Sequence, residues 1–77
     1  ASPRYGLYAT QDGWFLAVGA LEPKFWDTFS EAIGLAPALR DDRADPEATR
    51  AGIAAIIAGR PAAHWRETLE PRDCCCT

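Results

Sequence analysis

The segment Trp14-Phe15-Leu16-Ala17-Val18-Gly19-Ala20-Leu21-Glu22-Pro23-Lys24-Phe25-Trp26 ends an apolar run on two small residues, then sets a lone carboxylate, Glu22, directly before a proline. A proline in the first turn of a helix forfeits no hydrogen bond, because the amide it lacks would have had no acceptor there. Glu22 therefore falls at the C-terminal end of a strand and at the positive end of a helix dipole. Two roles fit that place. One is a charge that stabilises the helix start. The other is a general acid or base with a pKa tuned by a pocket. Abstracting a proton beside a carbonyl needs such a base and a group that stabilises the enolate oxygen. The chain offers no evident oxyanion hole and no second base, so by itself it is not a complete active site.

Other chemistry-bearing residues are sparse. The one histidine, His64, stands a residue before the apolar Trp65 and is expected on the exposed side of its helix rather than in catalysis. Ser2 and Ser30 lie in no nucleophile-elbow context. The glycines are too widely spaced to cradle a phosphate. Cys74, Cys75 and Cys76 are consecutive, whereas a disulfide scaffold distributes its cysteines so that they close loops. In a strand, adjacent side chains point to opposite faces, so three neighbouring thiols do not converge on one metal. They are expected to bind no metal and to act as small apolar filler.

The elements that would position Glu22 carry local signals. Tyr5 to Thr10 and Trp14 to Val18 flank Gln11-Asp12-Gly13, a hairpin signal. Tyr5, Leu7 and Ala9 would share one face, and Trp14, Leu16 and Val18 one face of the partner strand. A helix should open at Pro23, with Phe25, Trp26, Phe29, Ala32 and Ile33 at helical spacing and Gly34 as its stop. Leu35 to Ala44 reads as a connecting loop. Asp45-Pro46 is a cap and first-turn pair for a second helix. Its stripe is Thr49, Ile53, Ile56 and Ile57, with Gly52 a weak point inside and Gly59 at the end. Pro61 opens a third helix through Leu69, and Asp73 to Thr77 reads as a last strand. The fold class expected is α+β: an antiparallel sheet of the hairpin and the C-terminal strand, packed with three helices.

At 77 residues the chain is one domain at most, residues 1–77. Its apolar fraction of 48% is inflated by alanine. A formal charge of −3, with no clustered basic surface, argues against a nucleic-acid partner. No apolar run approaches the roughly 20 residues of a membrane span, and no secretory-type amino terminus is visible. The expectation is a cytoplasmic protein without a membrane partner. Ending on an apolar strand edge suggests truncation or a partner segment elsewhere.

Three segments, in this order and spacing, carry a resemblance: Tyr8-Ala9-Thr10-Gln11-Asp12-Gly13, Ala17 through Trp26, and Asp73-Cys74-Cys75-Cys76-Thr77. Together they resemble the small domain of the alpha-methylacyl-CoA racemases and the family III CoA-transferases, the CaiB/BaiF group, over nearly the whole chain. The most specific part is Gly19-Ala20-Leu21-Glu22-Pro23-Lys24-Phe25-Trp26. There Lys24 and Trp26 replace the Gln and Tyr usual in the family, and Cys74 and Cys76 stand where Ala and Val are common.

The resemblance implies that Glu22 is catalytic. In racemases of this group the matching glutamate pairs with a histidine as one of two acid/base groups. That histidine and the opposing aspartate lie in a larger domain outside these residues, and His64 does not match it. Asp73 matches a recurring position, with strand or turn capping as its default role. The resemblance further implies that the full-length protein is an interlocked homodimer acting on acyl-CoA, with no metal or organic cofactor. The isolated chain would then be monomeric and inactive. Racemisation of a 2-methylacyl-CoA is the favoured activity, because CoA-transferases of the group tend to carry a glycine-rich loop in place of Ala20-Leu21-Glu22. CoA transfer between carboxylic acids is the alternative, and a non-catalytic interaction domain is the reading from another class.

Overall fold

The computed structural model describes residues 2–72. Strands β1 (Tyr5–Ala9) and β2 (Phe15–Gly19) form an antiparallel hairpin in which Leu7 pairs with Ala17 and Tyr8 with Leu16. Helices α1 (Pro23–Ile33), α2 (Pro46–Ile57) and α3 (Ala62–Leu69) follow, with one short 3-10 turn at Pro37–Leu39 inside the loop between α1 and α2. The two-stranded sheet packed with three helices is the α+β architecture expected. The expected strand at 73–77 lies outside the described residues.

The hairpin turn is built by side chains as well as backbone. Thr10 N–H donates to the Trp14 carbonyl at 2.8 Å, and the Thr10 hydroxyl accepts from Trp14 N–H at 3.2 Å while donating to Asp12 Oδ1 at 2.6 Å. Gly13 supplies the positive φ of 84° that closes the reversal at little steric cost. Trp14 is thereby held in the turn, one residue before β2, and is 70% exposed. The expected face of Trp14, Leu16 and Val18 is therefore buried only at Leu16 and Val18.

Alternation along the strands gives the sheet two unlike faces. Tyr8, Leu16 and Val18 point into the core. Tyr5, Leu7 and Phe15 point outward and stay 62–65% exposed. The helices close over the inner face with Trp26, Phe29 and Ile33 from α1, Ile53 and Ile57 from α2, and Trp65 and Leu69 from α3. Ile56, expected in the α2 stripe, is only half-buried.

The buried aromatic rings keep their polar tips satisfied, as an apolar interior requires. Tyr8 Oη donates to the Pro3 carbonyl at 2.7 Å, Trp26 Nε1 to the Arg40 carbonyl and Trp65 Nε1 to the Ile57 carbonyl, each of these last two at 2.9 Å. The Ser30 hydroxyl, by contrast, is buried with no hydrogen-bond partner among the described residues.

Local chemistry sets the helix ends. Pro23 opens α1, and Gly34, at φ 75°, ends it. There Gly34 N–H reaches the Glu31 carbonyl and Leu35 N–H the Ser30 carbonyl, the paired bonds of a Schellman cap, with Leu35 buried beneath them. Asp45 caps α2 through its side chain, accepting from Ala48 N–H at 3.1 Å. Gly52 is more than a weak point. A Cβ there would come within 2.7 Å of Leu39 Cδ1, so the missing side chain lets α2 seat closely on the 3-10 turn.

Candidate active-site carboxylate at the strand-to-helix junction

Between the last residue of β2 and the first of α1 lie Ala20, Leu21 and Glu22. Ala20 is fully buried and anchors the strand end. Leu21 is 55% exposed, so its side chain is not an anchor. Its peptide groups are held instead: Leu21 N–H donates to the Gly19 carbonyl at 3.0 Å, and the Leu21 carbonyl accepts from Arg4 Nη1 at 3.4 Å.

Glu22 occupies the N-cap position with extended backbone, φ −77° and ψ 145°, and its carbonyl accepts the first helical bond from Trp26 N–H at 2.9 Å. A Glu at this position could fold its carboxylate back onto the first-turn amides. It does not: the side chain makes no capping hydrogen bond and is exposed. No acidic residue follows in the first turn of α1, so Glu22 is the carboxylate at this helix start. It can take or give a proton there without first leaving a capping bond.

A polar network surrounds the junction. Arg4 makes a two-pronged ion pair with Asp42, Nε to Oδ2 at 2.9 Å and Nη2 to Oδ1 at 3.1 Å. The same guanidinium lies over the Trp26 ring, 5.0 Å from its centroid. Neither Arg4 nor Asp42 stands out in the sequence. Their partnership spans 38 positions and leaves no local signal.

Asp12, read from the sequence as a turn residue, has a second task. Its Oδ1 accepts from the Ala62 N–H at 3.0 Å, so it caps α3, whose own N-cap, Pro61, offers no acceptor. The Thr10 hydroxyl and the Ala62 amide, together with the more distant Arg66 charge, hold the Asp12 carboxyl below the usual carboxylate range. Burial raises the Tyr8 phenol, with the nearby Arg50 charge opposing it.

His64 packs edge-on against Trp65, 4.7 Å between centroids, and makes no hydrogen bond with Glu22. A cleft of about 320 Å³ opens between β2 and α3, lined by Thr10, Phe15, Leu16, Trp65 and Leu69 with Arg66 and Glu70 at its polar side. Glu22 is not among its lining residues. Among the described residues no group of three or more His, Cys, Asp or Glu side chains could hold a metal ion. Cys74, Cys75 and Cys76 lie outside the described residues. No helix among the described residues is long and apolar enough to cross a membrane.

A hairpin that delivers a carboxylate to a helix start, over a sheet backed by three helices, thus defines a small α+β module that presents Glu22 rather than enclosing it. Residues 1–77 match the profile of CoA-transferase family III, and the chain belongs to that family. It is 32% identical over 80 residues to the alpha-methylacyl-CoA racemase of Mus musculus and 31% identical over 80 residues to that of Homo sapiens. Each alignment covers 99% of this chain and 21% of the relative. The chain therefore spans about a fifth of the length of the curated relatives it matches.

Proposed function

We propose that this chain is the small domain of a larger CoA-thioester enzyme, and that Glu22 is one of its acid/base groups in racemising a 2-methylacyl-CoA. The reaction balances without an oxidant. The α-carbon gives up a proton, the electron pair moves onto the thioester carbonyl as an enolate, and a proton returns to the α-carbon from the opposite face. Glu22 takes or supplies that proton on one side. The opposing group, the enolate-stabilising donors and most of the CoA site belong to the rest of the polypeptide.

The observation that carries this reading is the idle carboxylate of Glu22. It stands at the positive end of α1, exposed, yet makes no capping bond. The missing bond removes side-chain capping of the kind Asp45 performs at α2, and leaves a dipole charge and the acid/base role as the two tasks open to Glu22. The similarity to two racemases supports racemisation over CoA transfer. The family's own description keeps CoA transfer as the second reading.

Glu22→Gln in the full-length enzyme tests the assignment. It preserves shape and most hydrogen bonding but cannot accept a proton. General acid–base groups contribute about 10²–10⁴-fold, so α-proton exchange with deuterated solvent should fall by that factor. Stability should change by no more than about 0.3–1 kcal/mol, the worth of a carboxylate near a helix start. Exchange surviving within about threefold, well short of the acid–base range, would make Glu22 a structural charge.

A further inference from the structure

We propose that Arg4 is a positioning residue for Glu22, fixing the peptide from which the carboxylate projects. The inference rests on the acid/base reading of Glu22 and adds to it a residue far away in sequence. Three facts converge. The Glu22 side chain has no hydrogen bond of its own to orient it among the described residues, so its direction is inherited from the backbone. The preceding Leu21 is 55% exposed, so its side chain is not buried in the core as an anchor. The Leu21 carbonyl, in the same peptide plane as the Glu22 amide, is tied to Arg4 Nη1 at 3.4 Å.

Arg4 can serve as a fixed point because its other contacts hold it. Asp42 engages Nε and Nη2 as a fork, with the two side chains only 22% and 10% exposed, and Trp26 of α1 lies against the guanidinium face. One planar group thus joins the strand-to-helix junction, the first turns of α1 and the loop after the 3-10 turn. The bond to Leu21 is long, so it fixes direction more than it adds strength. A lysine could not replace the arrangement. Its ammonium is a point charge on a flexible stem, without the rigid fork that meets a carboxylate and a carbonyl together.

Trp26 extends the clamp. Its Nε1 holds the Arg40 carbonyl, and Arg40 Nε holds the Leu35 carbonyl at 2.8 Å, so the loop bearing Asp42 is itself braced against α1. Displacing a reacting group by about 1 Å can cost on the order of 100-fold in rate, so a loosened junction should be felt in turnover before it is felt in substrate binding.

A double-mutant cycle in the full-length enzyme decides this, using a 2-methylacyl-CoA in deuterated water. Arg4→Ala should lower kcat for α-proton exchange by about 10–100-fold, with KM changing by less than about threefold. Arg4→Lys should recover only part of that loss. In a Glu22→Gln background, Arg4→Ala should cost less than about twofold further, since groups that act through one carboxylate are strongly non-additive. Equal losses in both backgrounds, or a lowered Tm with kcat intact, would overturn the proposal. If Arg4→Ala does not fold, Arg4→Lys and Asp42→Asn carry the same cycle. Failure of the acid/base reading is separately visible, because Glu22→Gln alone would then leave exchange unchanged.

Discussion

Single side chains in this domain do work that their neighbours in sequence do not reveal. Asp12 is the clearest case. It belongs to a hairpin turn by its position, but its carboxylate also caps a helix 50 residues further on. The physical reason is economy of acceptors: α3 begins after a proline that has no side-chain oxygen, and the turn brings one to it. The consequence is a pH dependence of known sign. The folded state holds the Asp12 carboxyl below its ordinary value, so the unfolded chain binds the proton more tightly. The stability Asp12 contributes should be fully present above the unfolded value, about pH 4, and lost as the pH falls through the lower folded value. Asp12→Ala should therefore melt below the parent chain at about pH 6, and the gap should close on acidification below about pH 4. A gap that stayed constant into acid would mean that the carboxylate form of Asp12 is not what holds the start of α3.

At the scale of elements, the chain opens each of the three described helices, and closes α1, with chemistry that can be read without a structure, whereas α2 stops at Ile57, short of the expected Gly59. Pro23, Asp45-Pro46, Pro61 and Gly34 all fall at helix boundaries, because caps and φ restrictions act over one turn. The hairpin was legible for the same reason, from Asp12-Gly13 between apolar strands. Connections between elements were not. Nothing around Arg4 announces Asp42, nothing around Gln11 announces its bond to the Arg60 carbonyl, and the seat that Gly52 gives Leu39 looks in sequence like a helix defect. The candidate site divides along the same line, with Glu22 legible from its setting and its Arg4 clamp visible only in three dimensions. The C-terminal cap of α1 offers a direct test. Gly34 sits at φ 75° with nothing within 4 Å of where a Cβ would be, so any penalty for a side chain is backbone strain and not a clash. Gly34→Ala should cost about 1–2 kcal/mol, as the left-handed conformation does for an L-residue. That corresponds to a Tm loss on the order of 4–8 °C per kcal/mol for a domain of this size. Thermal melts of the variant showing no loss would mean that the Schellman bonds do not determine where α1 stops.

At the scale of the whole molecule, the surface of the described residues limits what these 77 residues can bind. Its sheet leaves Tyr5, Leu7 and Phe15 exposed on the outer face, with Trp14 and Leu21 exposed beside the strand ends. Its described cleft is mainly apolar, with one cation, Arg66, and one anion, Glu70, at the edge. Coenzyme A carries a pyrophosphate and a further phosphate, and such a ligand is captured by clustered cations or by a helix start aimed at it. The start of α1 is where Glu22 sits, and a carboxylate repels a phosphate there. The chain's formal charge of −3 works in the same direction. On the proposed function, Glu22 would contribute a carboxylate to a site whose nucleotide-binding groups are supplied by residues other than these. The 77-residue chain, titrated with acetyl-CoA and followed by amide NMR shifts, should show no saturable binding at submillimolar ligand. Weak shifts that grow linearly with concentration agree with this reading. A saturating site with shifts clustered at Leu21, Glu22 and the first turn of α1 would refute it, because the domain would then hold its own CoA pocket. Shifts clustered at Phe15, Trp65 and Leu69 would refute it equally, and would make the cleft between β2 and α3 the place where the acyl-CoA is held.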